Sequence, residues 1–599
     1  MLRILGSGPR LCRNSVTPTR EGGAAVPLTD EVARNREALE ARYGPWRPTT
    51  LGGALERAAA AHPDRPWIIG ERASSTYRGM AEWSRRLARG LLAAGVAAGD
   101  RVALVLPNWP ELVAARFAVA RVGAIAVPVS HRLQAQELAA VLEHCEPAVL
   151  ITMESFREVD ALGSLDRIAP GWDRPGTVTS VAGLRLVVTV PEGGGPGRRA
   201  GVPTLADLAR EPDPALDAEL ARRGGDPDAV ATIFYTSGTT GRPKGVLSTH
   251  DMELRSAYGS AYSRAFEDGR RVLFALPLNH VFAYVEGLLT SLLAGGSVVL
   301  QSAFDPDATL AAIERHGVNE ALFVPTMSLA VVEAARRRPH DLSSLHSVMS
   351  AAQAAPARLW TDLYAHLGLQ RCVTAYGMSE TSAATTFTDP DAPVEDLVGT
   401  VGKPKPGGVA GDPALGGRLA VYKTVDPVTL GDLHDGEEGE LVARGPIVCH
   451  GYYRQPEATA EAILPGGWLR SGDLGYIRDD GSLVLTGRSK DLYKCGGELV
   501  MPLEVEARLT SRADVAQAYV VGVPDPRMGE VGCAWVVPAE DAKLDPEELI
   551  EYCRASLARF KVPAHVLFCS PAELPLTGSG KVQKFLLAER AVAELGLAG

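Results

Sequence analysis

Residues 235–245 read Tyr235-Thr236-Ser237-Gly238-Thr239-Thr240-Gly241-Arg242-Pro243-Lys244-Gly245, immediately after an apolar run of strand length, residues 229–234. The glycines let the backbone turn with positive φ and approach a ligand closely. Backbone N–H groups, hydroxyls and the Lys244 charge suit anionic oxygens. We therefore predict a polyphosphate-binding loop, with a plain hydrophilic turn as the alternative. Its candidate residues are Thr236, Ser237, Gly238, Thr239, Thr240, Gly241 and Lys244.

The loop differs from the phosphate loop of P-loop NTPases. That motif needs Gly-Lys-Ser/Thr running into a helix. Here Lys244 is followed by Gly245 and Val246, which predict a new strand. A P-loop NTPase is therefore disfavoured.

Strand and helix patterns alternate from Leu51 onward. Near-continuous apolar strands between helices indicate parallel sheets covered by helices, an α/β fold. After about Gly411, strand and turn signals dominate as far as Leu485. A smaller unit follows, and the polar junction Ser489-Lys490-Asp491 marks the predicted boundary. We predict a leader over residues 1–45, an N-terminal domain over 46–488 and a C-terminal domain over 489–599.

Composition excludes several classes of protein. The 599 residues are 46% hydrophobic and 22% charged, with a net charge of -11. No broad basic field for nucleic acid is implied. The eight cysteines are scattered without a Cys-x-x-Cys pair, which argues against a disulfide framework or a zinc site. A reducing compartment fits this pattern, and we expect a cytoplasmic protein.

Two segments, the N-terminus and the longest uncharged run, are considered for targeting and for membrane insertion. The first twenty residues carry four arginines and no acid, and we expect a disordered leader; organelle targeting is the alternative. The longest uncharged run, residues 287–304, contains Gly295-Gly296. It predicts a helix end followed by a strand, not a membrane span.

Further motifs suit a nucleotide. In Tyr376-Gly377-Met378-Ser379-Glu380, the ring of Tyr376 can stack on a base and Glu380 can hold Mg²⁺. Asp473, in Ser471-Gly472-Asp473-Leu474-Gly475, is predicted to lie in a tight turn and to accept hydrogen bonds from ribose hydroxyls. Solvated turns are the alternative at both places.

Taken in order, these motifs resemble those of the adenylate-forming enzymes, which include acyl-CoA synthetases, luciferases and peptide-synthetase adenylation domains. The resemblance covers about Leu51 to Lys584. It implies an α/β fold with a large N-terminal domain of helix-covered sheets, a small β-barrel-like region and a small, mobile α+β C-terminal domain. One segment departs from the pattern: Ser350-Ala351-Ala352-Gln353-Ala354-Ala355-Pro356 stands where the family usually has Ser-Gly-Gly-Ala-Pro.

The resemblance also assigns roles residue by residue. It implies catalytic roles for Lys581, Glu380, Thr236 and His280, with Lys581 bridging carboxylate and α-phosphate and His280 flanking the carboxylate. Lys490 is the implied hinge, and Glu380 is the metal ligand. The implied nucleotide and CoA residues are the phosphate-loop set with Gln353, Tyr376, Gly377, Ser379, Asp473, Arg488, Gly496, Gly497 and Lys581.

We therefore expect an AMP-forming carboxylic acid–CoA ligase that uses ATP, Mg²⁺ and coenzyme A. Because Val281 to Tyr284 beside His280 carry no charge, the acid is expected to be apolar, fatty or related. Two alternatives stay open: a ligase that loads a free-standing acyl carrier protein, and a nucleotide sensor with a degraded site. No nucleic acid partner and no membrane span are expected.

Overall fold

The structure is a computed structural model that describes residues 28–174, 180–223, 225–236, 243–488, 490–540, 542–576 and 582–597. Its large N-terminal part consists of helices and sheets, and a smaller α+β part follows. The predicted fold class is confirmed. The domain boundary at Ser489 stays a prediction, because that residue lies outside the described ranges.

The first sheet lies in the N-terminal part and runs parallel except at one edge. Its strands, in spatial order, are Arg371–Val373, Ser347–Ser350, Glu320–Phe323, Arg271–Phe274, Ser297–Leu300, Pro66–Gly70 and the antiparallel Ser74–Thr76. Most of these strands are apolar and buried, as the sequence predicted. Loops that follow neighbouring parallel strands meet at one edge of the sheet.

The second sheet carries the candidate phosphate loop. Its order is Lys244–Thr249, Val230–Thr236, Ile125–Pro128, Arg101–Val105, Val149–Met153 and Leu186–Val190. All pairs are parallel except the antiparallel hairpin of Val230–Thr236 with Lys244–Thr249. Ser155–Phe156 and Val159–Asp160 form a separate small ribbon.

Helices of the N-terminal part cover these sheets. Thr76 caps helix Tyr77–Ala93 by accepting a hydrogen bond from the N–H of Gly79, and Pro110 occupies the first turn of Pro110–Arg121. The helices are Leu28–Tyr43, Leu51–Ala61, Tyr77–Ala93, Pro110–Arg121, Ala135–Cys145, Ala161–Ile168, Leu205–Leu208, Pro214–Arg223, His250–Ser263, Thr290–Ala294, Pro306–His316, Pro325–Arg337, Ala357–Leu367 and Val394–Gly399, with a π-helix at Phe282–Leu289.

Gly295 ends helix Thr290–Ala294 with a φ of 65°, a left-handed conformation that favours glycine, and strand Ser297–Leu300 follows. The helix end predicted within the uncharged run is confirmed. Among the described residues, no helix has both the length and the apolar character needed to cross a membrane.

Two further sheets complete the N-terminal part. The smaller contains Ala375–Met378, Ala383–Phe387 and Lys403–Pro404. The larger, which corresponds to the predicted barrel-like region, contains Val421–Val425, Gly439–Arg444, Ile463–Leu464, Trp468–Ile477 and Leu483–Arg488, with helix Pro456–Ala462 beside it. The main hydrophobic core spans the first two sheets and their helices.

The C-terminal part has a hydrophobic core of its own, formed around the buried Trp535 and Leu587. Its sheet contains Tyr493–Cys495, Glu498–Val500, Val515–Asp525, Gly529–Pro538 and His565–Phe568. Helices Pro502–Thr510, Pro546–Arg554 and Lys584–Leu595 pack against this sheet.

Part of the predicted leader is ordered. Residues 28–43 form helix Leu28–Tyr43, in which Leu39 is buried, and the guanidinium of Arg36 donates to the carbonyl of Tyr262 at 3.0 Å. The expectation of a disordered leader over residues 1–45 is therefore wrong for this segment, since it buries apolar surface and caps a carbonyl of helix His250–Ser263. Residues 1–27 lie outside the described ranges.

The described cysteines are free and buried. Burial raises the pKa of each of these thiols, to about 12 for Cys145, Cys372, Cys449 and Cys533 and to about 11 for Cys553. Burial also raises the pKa of Cys495 and Cys569. The absence of a disulfide framework is confirmed for the part of the chain that is described.

Candidate active site

The phosphate-loop candidate joins the two strands of the hairpin. Thr236 is the last residue of one strand and pairs across the hairpin with Lys244, the first residue of the next. The strand predicted from Lys244 onward is confirmed, which supports the distinction from a P-loop NTPase. Residues 237–242 lie outside the described ranges, so Ser237, Gly238, Thr239, Thr240 and Gly241 stay predictions.

Residues 451–453 pair with strand Lys244–Thr249 on the side opposite Val230–Thr236. The N–H of Tyr453 donates to the carbonyl of Gly245 at 2.7 Å, and the N–H of Leu247 donates to the carbonyl of Gly451 at 3.1 Å. Val246 and Tyr452 form the bridge between these bonds. The position of Lys244 is therefore fixed by backbone pairing on both sides of its strand.

Tyr452 connects Lys244 to Glu380. The Nζ atom of Lys244 lies 4.8 Å from the centroid of the Tyr452 ring, and the Tyr452 hydroxyl donates to Oε1 of Glu380 at 2.9 Å. Burial and the Glu380 carboxylate raise the pKa of Tyr452, so its hydroxyl stays a donor. Tyr452 was not among the predicted site residues, and its position directly after Gly451 was the one local sequence signal that could have indicated it.

Tyr376, Asp473 and Arg488 form a second group. The Tyr376 hydroxyl donates to Oδ2 of Asp473 at 2.6 Å, and Nε of Arg488 lies 2.8 Å from Oδ1 of the same carboxylate. Asp473 is 3% exposed, whereas the Arg488 side chain is 46% exposed. Burial and the Asp473 charge raise the pKa of Tyr376 well above its usual value.

The local structure at Asp473 differs from the prediction. Asp473 lies within strand Trp468–Ile477, not in a tight turn. Gly472 has a φ of 73° and kinks the strand without ending it, and its N–H donates to Oε1 of the buried Glu440 at 3.1 Å. Arg470 forms an ion pair with Glu440, with 2.6 Å between Nη2 and Oε2. The turn prediction was wrong because the strand bulges at the glycine and then continues: pairing with Gly439–Arg444 shifts register between Arg470 and Leu474, and Asp473 already pairs with Arg488.

The first sheet brings three predicted segments to one edge. His280 follows strand Arg271–Phe274, Gln353 follows Ser347–Ser350 and Tyr376 follows Arg371–Val373. These strands run parallel within the sheet, so the three segments leave from their carboxyl ends. Ala352 has a φ of 77°, so the backbone keeps a conformation that glycine usually provides despite the departure from the family pattern.

His280 precedes the π-helix Phe282–Leu289, a rare element that frequently occurs at functional sites. The N–H of Phe282 donates to Nδ1 of His280 at 3.2 Å. With Nδ1 accepting, a neutral ring carries its proton on Nε2, where it can donate to a carboxylate. Val281 to Tyr284 are buried.

Gly496 and Gly497 form the turn of a short hairpin between Tyr493–Cys495 and Glu498–Val500, with φ angles of 62° and 91°. Lys490 lies between this hairpin and strand Leu483–Arg488. Lys581 lies outside the described ranges, while Lys584 begins the last helix and binds Glu506 at 2.6 Å. The roles predicted for Lys490, Gly496, Gly497 and Lys581 stay predictions.

The contacts thus join predicted residues into two groups linked through one segment. Lys244, Tyr452 and Glu380 form the first group, and Tyr376, Asp473 and Arg488 form the second. Strand Ala375–Met378 carries Tyr376, with Gly377 inside it, and runs directly into the helical turn Ser379–Thr381 that carries Glu380. Side chains touch within each group, and the chain segment 376–380 connects the two groups, an arrangement that suits a nucleotide with its phosphates.

Two family models match the chain. The model of the AMP-binding enzyme matches residues 55–453, and that of the AMP-binding enzyme C-terminal domain matches residues 504–581. The chain belongs to the AMP-binding enzyme family. The predicted resemblance to adenylate-forming enzymes, and the expectation of an enzyme, are confirmed.

Several related proteins resemble the chain over most of its length. A feruloyl-CoA synthase of Amycolatopsis sp is 36% identical over 534 residues, covering 89% of this chain and 97% of that protein. A medium-chain fatty-acid–CoA ligase of Escherichia coli (strain K12) is 30% identical over 582 residues, covering 95% and 94%. ATP-bound MatB from Rhodopseudomonas palustris, a solved structure, is 25% identical with a TM-score of 0.73, covering 90% and 98%.

Proposed function

We propose that the chain is an ATP- and Mg²⁺-dependent carboxylic acid–CoA ligase of the AMP-binding enzyme family, acting on an apolar acid. The observation that carries this proposal is the contiguous path from Lys244 through Tyr452 to Glu380, with Asp473 and Arg488 beside it. That path offers a cation for phosphate, a carboxylate for a hard metal ion and a carboxylate for ribose hydroxyls.

The first half-reaction forms an acyl-adenylate. A carboxylate oxygen of the acid attacks the α-phosphorus of ATP, the bond to the bridging oxygen breaks and pyrophosphate leaves. Two anions must approach, so positive charge at Lys244 and Lys581 offsets their repulsion. His280 holds the acid's carboxylate by donating from its ring.

Glu380 suits Mg²⁺, which binds through one or two carboxylates together with substrate phosphates. The described residues contain no cluster of three or more His, Cys, Asp or Glu that would form an all-protein cage, and one carboxylate at a nucleotide site fits this mode. When bound, the ion neutralises phosphate charge. Tyr452 fixes Oε1 of this carboxylate through its 2.9 Å hydrogen bond, so Glu380 would be held in place for the ion.

The second half-reaction transfers the acyl group. The thiol sulfur of CoA attacks the acyl carbon, the bond to the AMP oxygen breaks, AMP leaves and the thiol gives up its proton. In this proposal the C-terminal domain, residues 489–599, rotates about Lys490, withdraws Lys581 and brings the Gly496-Gly497 turn to the site. A few residues at an element boundary are enough to absorb such a rotation through changes in φ and ψ.

An apolar acid is supported by the buried, uncharged Val281, Phe282, Ala283 and Tyr284 that follow His280. By their names, one relative is a feruloyl-CoA synthase and the other a ligase of medium-chain fatty acids, so the panel of acids to be tested includes both kinds. An acyl carrier protein as acceptor is the second candidate, since the first half-reaction is the same for both.

The deciding experiment measures pyrophosphate release over a panel of fatty, aryl and branched acids, with and without CoA. Release that also consumes CoA thiol supports the ligase and identifies its acid class. Release without thiol consumption indicates a carrier protein as acceptor. No release with any acid contradicts the proposal and favours a nucleotide sensor.

A further inference from the structure

A buried polar cluster lies behind the candidate site, between the hairpin of the second sheet and the π-helix. We call it the Arg116 cluster. All of its side chains are at most 2% exposed. Its members are Arg116, Thr232, Ser248, Glu253 and Tyr284.

Arg116 contacts both the segment around His280 and the strand that ends at Thr236. Its Nη1 donates to the carbonyl of Leu278 at 3.0 Å, and its Nη2 donates to Oγ1 of Thr232 at 3.2 Å. Its guanidinium carbon lies 3.3 Å from the centroid of the Tyr284 ring. Leu278 and Tyr284 flank His280, whereas Thr232 lies on the strand that ends at Thr236.

Glu253 lies on helix His250–Ser263, close enough to Arg116 for the two charges to interact but without a direct ion pair. No well-aligned hydrogen bond reaches its carboxylate oxygens, and the Ser248 hydroxyl, the Tyr284 hydroxyl and Nε of Arg116 also lack one. The hydroxyls of Thr232, Tyr284 and Ser248 nevertheless lie near enough to lower the pKa of Glu253. Burial raises the pKa of Glu253 to about 7, and the charge of Arg116 opposes that rise. The titratable groups that surround Glu253 are Arg116 and Tyr284.

Such a cluster is costly for the folded state. A buried charge without full hydrogen bonding destabilises a protein, and apolar residues of similar volume often stabilise it instead. Hydrophobic packing therefore does not explain the cluster. Its contacts indicate a positioning role. A guanidinium that donates to two different segments fixes the distance between those segments, whereas apolar side chains do not.

We propose that Arg116 is a positioning residue that holds the His280 segment against the phosphate-loop hairpin, with Glu253 as its counter-charge. The proposal rests on the proposed function, in which His280 holds the carboxylate and the hairpin holds the phosphates. The distance between those two groups determines whether the carboxylate oxygen reaches the α-phosphorus, and small displacements of reacting atoms are costly.

The test separates positioning from stability with two variants. Arg116→Met removes the bonds to Leu278 and Thr232 and leaves the buried Glu253 without a nearby positive charge, so we expect a lower Tm and at least about a tenfold loss in kcat/KM for pyrophosphate release. The double variant Arg116→Met/Glu253→Leu removes both charges. We expect its Tm to return to the parent value or above while kcat/KM stays low.

A matched control is Arg89→Met. Arg89 is also buried and binds Asp217 at 2.7 Å, on helix Tyr77–Ala93. We expect a lower Tm and an unchanged KM for the acid. If the double variant instead regains kcat/KM together with its Tm, the Arg116 cluster is a packing feature and the proposal is overturned.

Hydrogen–deuterium exchange gives a readout that does not depend on activity. In the double variant, the amides of residues 230–236 and 277–289 should exchange faster than in the parent protein, and other core strands should not. If the amides of both segments exchange at the parent rate, Arg116 is not a positioning residue, even if activity falls. A parent protein that releases no pyrophosphate with any acid contradicts the proposed function alone, because the exchange comparison still tests Arg116.

Discussion

Tyr376 and Asp473 are 97 residues apart in the chain and lie in different sheets, yet a 2.6 Å hydrogen bond joins them. The bond fixes one oxygen of the carboxylate, and Arg488 holds the other at 2.8 Å. The orientation of Asp473 is therefore determined before a nucleotide binds.

Asp473→Asn should weaken ATP binding. The amide replaces one acceptor oxygen by a donor, so the carboxylate can no longer accept from Tyr376, Arg488 and ribose together. A hydrogen bond to a charged group contributes about 1.5–3 kcal/mol, and we expect the KM for ATP to rise by at least about tenfold. Steady-state kinetics with varied ATP measure this. Asp480→Asn, at an exposed turn of the same sheet, is the control, and an equal rise in both variants would contradict the assignment.

Glu380→Gln should slow adenylation by about 100-fold or more, because the carboxylate that suits Mg²⁺ loses its charge while the shape is kept. Pyrophosphate release at several Mg²⁺ concentrations measures the effect. Tyr452→Phe removes only the hydroxyl that donates to Glu380 and should cost about tenfold or less. A larger loss in Tyr452→Phe than in Glu380→Gln would show that the carboxylate does not hold the metal.

Lys581→Ala should abolish pyrophosphate release and leave thioester formation from supplied acyl-AMP largely intact. The reason is that fixed positive charge is needed where two anions approach, and the acyl-AMP already contains the new bond. Separate assays of the two half-reactions measure this. Lys543→Ala, an exposed lysine in the same part of the chain, should change neither. Equal loss of both half-reactions in Lys581→Ala would be incompatible with the role.

Lys490→Pro should slow the thioester half-reaction more than adenylation. Proline fixes φ, so a rotation about this residue loses its freedom. Lys490→Ala changes the side chain and keeps the backbone freedom, and we expect it to affect the two half-reactions much less. Single-turnover measurements of each step decide the matter: if Lys490→Pro slows both steps equally, the hinge lies elsewhere.

Acid should destabilise the fold through His250. Burial lowers the pKa of His250 to about 4, and its Nδ1 accepts from the N–H of Leu51 at 3.3 Å, so the folded state holds it neutral. Since the folded pKa lies below the unfolded value of 6.5, protonation favours the unfolded state. Stability is complete above that value and falls by about 3 kcal/mol as pH drops toward 4.

His250→Asn keeps an acceptor near the N–H of Leu51 and removes the titration. Urea unfolding between pH 7 and pH 4 should therefore show a shallower loss of stability in this variant. His434→Asn, at an exposed position, is the control and should leave the slope unchanged. A variant slope equal to that of the parent protein would mean that other groups cause the acid sensitivity.

Local patterns predicted much of the architecture. The apolar runs identified the parallel strands, and the residues after Lys244 predicted the strand that begins there, because strand alternation and glycine positions are local signals. The antiparallel pairing of that strand with Val230–Thr236 was not predicted. Asp473 was misplaced since a glycine with positive φ looks the same in sequence whether the strand ends or merely kinks. Helix Leu28–Tyr43 was missed because its stability comes from contacts with residues more than 200 positions away.

The long-range parts of the site could not be predicted. Tyr452 joins Lys244 to Glu380 only through the tertiary fold, and no spacing rule relates these positions. Arg116 and Glu253 are single charged residues on separate helices, a pattern typical of solvated surface. Only packing brings them together in the interior.

The buried thiols have a chemical consequence for an enzyme that forms an acyl-adenylate. Such a mixed anhydride is an activated acyl donor, and the thiolate is the reactive form of cysteine. Cys449 is bonded to the segment that carries Glu380, since its N–H donates to the carbonyl of Glu380 at 2.7 Å, and its raised pKa keeps the sulfur protonated. The described part of the chain thus protects itself from acylation by its own product and leaves the incoming thiol without an internal competitor.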